Sequence, residues 1–161
     1  MRTAIIAAIA LAATIAFGAA APEQTQPSQP PAPAAPPAAN PAEPQHIEVQ
    51  HCLVSFSGTP AARTPRTQEE AKKLAYEILE RARKGEDFGA LVKTHTDDQY
   101  PGIYRMANDN VQPSDQAEYP RRGMVAAFGD VGFVLKVGEY GIADFDLKKS
   151  PFGYHVIKRL K

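Results

Sequence analysis

Two histidines, a pair of aspartates and a Met/Phe pair are the side chains in this sequence best suited to chemistry. His51 and His155 sit in extended segments near the start and the end of the folded region, and Asp97-Asp98 follows a short helical pattern. Met124 and Phe128 stand four apart, a spacing that puts them on one face of a helix. Imidazoles can hold a hydrogen-bond network through two distinct ring nitrogens, and a carboxylate can orient one of them. An apolar Met/Phe surface can hold a nonpolar group and exclude water. Singly, each feature has a plainer reading: a packed strand histidine, a turn-forming Asp pair, a core Met and Phe. Other chemistries have little to work with. Cys52 is the single cysteine, which excludes an internal disulfide and a cysteine-based zinc site. There is no His-x₃-His spacing to support a metal hydrolase and no Gly-x-Ser-x-Gly segment for a nucleophilic one.

The elements that must position these residues are legible after residue 46. Ile47 to Phe56 alternates as a strand, with Cys52, Val54 and Phe56 on one face and His51, Leu53 and Ser55 on the other. Gly58 to Pro65 has the composition of a loop. Thr67 opens a helix whose capping box is completed by Glu70. Ala71, Leu74, Ala75, Ile78, Leu79 and Ala82 give that helix an apolar stripe, and Gly85 stops it. Asp87 starts a second, short helix with Phe88, Leu91 and Val92 facing inward. From Asp97 to Gly123 the periodicity fails, apart from a short strand predicted at Ile103 to Met106. Met124 to Leu135 returns to helical spacing despite Gly129 and Gly132. Tyr140 to Asp144 and Tyr154 to Leu160 read as closing strands. Strands at both ends with helices between predict an α+β domain, an antiparallel sheet packed by helices.

What precedes this region cannot form a core. Arg2, an apolar run from Ala4 to Phe17 and the small residues Gly18 to Ala21 have the order of a signal peptide over residues 1–21, cut after Ala20 or Ala21. An uncleaved anchor facing outside the cytoplasm is the alternative. Residues 22–45 are Pro- and Ala-rich without a large apolar side chain, predicting a disordered, extended tether. The domain then spans residues 46–161. The eighteen basic and eighteen acidic residues balance, and after residue 46 they alternate in sign, so no basic stripe points to nucleic acid. The reading is a periplasmic or extracellular protein without stable membrane insertion after cleavage.

Taken in order, five blocks resemble the parvulin family of peptidyl-prolyl cis/trans isomerases. His51-Cys52-Leu53-Val54 is similar to the family's opening strand, and Thr67-Gln68-Glu69-Glu70-Ala71 to its first long helix. KGEDFGALVKTHTDD is similar to its second helix and the Asp-containing segment that follows. RRGMVAAFGDVGFVLKVGE resembles the Arg-Gly-x-Met…Phe block, and SPFGYHVIKRL the closing strand. The resemblance implies a four-stranded antiparallel sheet packed by about four helices, and isomerisation of Xaa-Pro bonds in exported or folding polypeptides without a cofactor or metal. It also implies a site. His51 and His155 would be paired active-site histidines, with Asp98 beside them as the carboxylate found in many bacterial members. Met124 and Phe128 would form the proline pocket. Ser150 stands where the family often has a hydroxyl that joins the hydrogen-bond network at the substrate. The family's Gly-Gly-Asp-Leu-Gly segment, whose leucine lines the pocket, has no counterpart; YPGIYRMANDNVQPSDQAEYP stands there instead, with Ile103 or Met106 as substitutes. That replacement keeps a second reading open, a non-catalytic chaperone or peptide-binding module. Arg63 and Arg66 lie in the loop where some members bind phosphate.

Overall fold

The computed structural model describes residues 43–161. The expected signal peptide and most of the expected tether fall outside those residues. Strand β1 (His46–Val54) occupies the middle of a five-stranded sheet whose order is β3-β2-β1-β5-β4. Its neighbours are β2 (Ile103–Ala107) and β5 (Tyr154–Arg159), both antiparallel to it. β4 (Tyr140–Ala143) continues the antiparallel order at one edge. At the other edge β3 (Glu118–Pro120) runs parallel to β2. Among the described residues the expectation of four antiparallel strands and about four helices is corrected to five strands, one pair parallel, and three α-helices with one 3₁₀ turn at Arg121–Gly123. β3 is too short to show a period of two, and its parallel pairing depends on the irregular segment 108–117 returning beside β2.

Period-two alternation of β1 divides the core into two layers. Cys52, Val54 and Phe56 face α1 (Gln68–Arg83) and α2 (Phe88–His95), which cover one side of the sheet. Ile47 and Val49 face the other side, where Met106, Ile157, Phe133 and Phe128 close a second cluster beneath α3 (Ala126–Val134). α1 begins as its sequence dictates. The Thr67 hydroxyl accepts the Glu70 N–H, and the Glu70 carboxylate accepts the Thr67 N–H, closing the capping box.

Glycine inside α3 weakens its propensity, and packing explains why it is there. A Cβ on Gly132 would lie 3.2 Å from Ile47 Cδ1 and 3.4 Å from Met106 Cε. The bare backbone lets α3 sit close on the sheet and brings Phe128 over the histidines. The buried Arg159 guanidinium donates to the carbonyls of Gly132 and Leu135, placing a cation at the helix's C-terminal end.

The chain is tied to the domain from three residues before β1. Glu43 accepts a hydrogen bond from Arg121 at 2.7 Å, and the carbonyls of Pro44 and Gln45 accept from Asn108.

Candidate active site

Register on the inner strands decides what meets on the α3 face. β1 and β5 pair Leu53 with His155 and His51 with Ile157, so both imidazoles point to the same side. Their rings are nearly parallel, 19° apart in plane, with the two Nδ1 atoms separated by 3.3 Å. Both are buried, at 3% and 4% exposure.

The Asp pair divides its work. Asp97 is structural: its N–H donates to the Leu53 carbonyl, and its buried carboxylate accepts from Ser55 N–H, Ser55 Oγ and Arg66 Nη1. Thr96 Oγ1 adds two more ties, accepting from the N–H groups of Leu53 and Asp98. This strap fixes Asp98 beside β1. Asp98 Oδ2 accepts from His51 Nε2 at 3.0 Å and from the Tyr104 hydroxyl at 2.8 Å. Hydrogen bonding from His51 holds the Asp98 carboxyl well below the usual range, against an opposing cost of desolvation, with Tyr104 adding to the effect. Burial, then the bond to Asp98, pushes the Tyr104 hydroxyl up to about 12.

These constraints set the protons. Asp98 is an ionised acceptor, so His51 Nε2 carries the hydrogen that it donates. Burial, followed by repulsion from His51, pushes the His155 imidazole down to about 3, so it is neutral at ordinary pH. The facing Nδ1 atoms lie within hydrogen-bond distance, with the tautomer deciding which of them donates. His155 Nε2 is buried with no partner among the described residues.

Phe128 is the hub of the apolar part. Its ring meets His51, His155 and Tyr104 edge-on, at centroid distances of 5.1, 5.5 and 6.0 Å. A cavity of about 440 Å³ opens over this cluster, lined by both histidines, Leu53, Tyr104, Met124, Phe128 and Phe152, with the loop residues Pro60 to Arg63 as an outer wall. Met124 lies before α3, as the residue closing the 3₁₀ turn, yet it lines the cavity together with Phe128. Among the described residues, no group of three His, Cys, Asp or Glu side chains converges as a metal would require.

Of the residues singled out from sequence, His51, His155, Asp98, Met124 and Phe128 come together around this cavity. Ser150 does not. It is buried, and its hydroxyl donates to the Gly153 carbonyl in the turn before β5, with no bond to either histidine. Arg66 is committed to Asp97 and the Ser55 carbonyl, which leaves Arg63 as the cavity's basic wall residue. Among the cavity residues that sequence reasoning missed, Tyr104 joins both the apolar wall and the polar network. Ile103 pairs with Gln50 on the opposite face and is exposed, while Met106 is wholly buried in the core. Tyr104, two residues before Met106 on one strand, shares its face; that alternation was the available signal.

Comparison with known proteins gives a consistent set of likenesses. Residues 38–161 match the family described as PPIC-type PPIASE domain. The chain is 37% identical over 87 residues to the foldase protein PrsA of Caldanaerobacter subterraneus subsp. tengcongensis. It is 36% identical over 87 residues to the foldase protein PrsA 4 of Bacillus cereus. Each alignment takes in 54% of this chain but only 24% and 27% of the relatives, about a quarter of their length. Among solved structures, the peptidyl-prolyl isomerase ESS1 from Candida albicans aligns with a TM-score of 0.55 at 20% identity, over 78% of this chain and 67% of that one. At that identity the likeness is one of fold.

Proposed function

The chain belongs to the PPIC-type peptidyl-prolyl isomerase family, and from that premise we propose that it isomerises Xaa-Pro bonds of polypeptides outside the cytoplasm and so assists their folding. The observation that carries this reading is an apolar cavity floored by Phe128 directly against a fixed Tyr104–Asp98–His51–His155 network. The order of residues 1–21 and the relatives named foldase support export and a folding role.

Rotation about an Xaa-Pro bond must break amide resonance, against a barrier of about 18–20 kcal/mol. No covalent nucleophile is needed. Catalysis requires that the twisted amide bind better than either planar form. The planar amide is the more polar species, because resonance separates charge between nitrogen and oxygen. Moving it from water into the Leu53/Met124/Phe128 surface therefore disfavours the planar forms relative to the twisted one. In this reading Phe128 and Met124 hold the proline ring. Asp98 locks the His51 ring through Nε2, and His155 locks it through Nδ1, so the polar wall of the cavity does not reorganise during rotation.

The segment 97–123 bears on the choice between catalysis and binding alone. It lacks the expected leucine but supplies the Tyr104 ring and hydroxyl, which complete both the apolar wall and the polar network. That favours the enzyme. Exchange NMR on Xaa-Pro tetrapeptides with the purified chain tests it. Accelerated cis/trans exchange is expected; binding without acceleration would favour the peptide-binding module.

A further inference from the structure

We propose that Tyr119 forms a second substrate subsite, taking an aromatic or large aliphatic side chain of the same polypeptide whose proline enters the cavity. This deepens the isomerase reading and rests on it.

Tyr119 is 48% exposed, but its position is tightly determined. The β2–β3 register pairs it with Met106, so it lies on the same sheet face as Met106 and Tyr104. Its ring stands 5.9 Å from that of Tyr104, which in turn stands 6.0 Å from Phe128. Three rings thus run as a continuous shelf from the floor of the proline cavity to the edge of the sheet. The preceding residue anchors it. The buried Glu118 carboxylate accepts from the Ser114 N–H and bonds His46 Nδ1 at 3.0 Å. The following residue, Pro120, fixes the backbone with φ at −66°. Among the described residues the Tyr119 hydroxyl makes no hydrogen bond, and half of the ring is open to solvent. A rigid, half-exposed tyrosine offers contact area at a small cost in side-chain entropy.

The occupant follows from continuity with the cavity. A chain whose proline ring rests on Phe128 must leave across the cavity's rim, and Tyr104 is part of that rim. The Phe128 and Tyr119 rings are at most about 12 Å apart, which an extended chain covers in roughly four residues. Tyr119 therefore reads a side chain within that distance of the proline, on one side of it.

Fluorescein-labelled peptides with a fixed Ala-Pro centre, carrying Phe or Ser at each of the flanking positions within reach, test the subsite. Kd by anisotropy and kcat/KM by exchange NMR are measured for the wild type, Tyr119→Ser and Tyr119→Phe. At one flanking position the wild type binds the Phe peptide about two- to tenfold more tightly than the Ser peptide, the range for one exposed aromatic contact. Tyr119→Phe keeps that ratio, and Tyr119→Ser brings it near one. A ratio that survives in Tyr119→Ser, or is near one in the wild type at every position, overturns the subsite even if the peptides are isomerised. A ratio that follows Tyr119 while no peptide is isomerised upholds the subsite and overturns catalysis. Absence of binding by any peptide overturns both.

Discussion

The Nδ1 atoms of His51 and His155 face each other at 3.3 Å, within hydrogen-bond distance, across the β1–β5 pair. Asp98 fixes the far nitrogen of His51, while the His155 ring is buried. Burial of the His155 ring makes the site sensitive to acid.

Burial holds His155 down to about 3, against 6.5 for the unperturbed ring. Between those values the unfolded chain binds the extra proton and the native protein does not. Stability from this group is therefore complete above about pH 6.5 and is lost as pH falls toward the folded value, by at most about 1.4 kcal/mol per pH unit. Denaturation between pH 7 and 5 should show stability falling with acid, and His155→Gln should flatten that slope. An unchanged slope in the variant would place the acid sensitivity elsewhere.

Backbone geometry places His51 as firmly as its side-chain bonds do. The Gly102 carbonyl accepts the His51 N–H at 2.8 Å, and a Cβ on Gly102, at φ +68°, would come within 2.5 Å of the His51 carbonyl oxygen. Gly102→Ala should cost about 1–3 kcal/mol of stability and lower kcat/KM about tenfold. Gly85→Ala is the control: φ is +95° but a Cβ meets nothing within 4 Å, so stability should fall without a change in kcat/KM.

How much of this was visible in the chain depended on the kind of interaction. The capping box of Thr67 and Glu70 and the alternation of β1 follow from local periodicity, which the sequence states directly, while the face shared by His51 and His155 also needs the β1–β5 register. Tyr104 was missed because its strand is flanked by irregular chain, and Ile103 and Met106 looked the better apolar candidates. β3 is set by a long-range tie from Glu118 to His46 and by its pairing with β2, which no spacing reveals. Ser150 was a reasonable site candidate by position, but its hydroxyl closes a turn locally. Glu43 reads as tether until Arg121, 78 residues later, is found against it.

The loop forming the cavity's outer wall is fastened by Arg66, whose guanidinium joins the Asp97 carboxylate and the Ser55 carbonyl. Arg66→Met leaves Asp97 buried without its cation and frees residues 57–66. Unfolding free energy should fall by about 2–4 kcal/mol, and KM should rise more than kcat falls. A drop in kcat alone, with KM unchanged, would mean that the latch acts on the histidine network and not on the loop.

The central claim is that shape and desolvation around Phe128 lower the barrier more than any single ionisable group does. Measuring kcat/KM by exchange NMR for the wild type, Phe128→Ala and His51→Ala tests it most directly. Truncating Phe128 can cost about 3–5 kcal/mol of stability, so circular dichroism must first show that each variant is folded. Phe128→Ala should reduce kcat/KM at least as much as His51→Ala. A folded Phe128→Ala near wild-type activity, beside a His51→Ala with none, would contradict the account and point to proton transfer by the histidine.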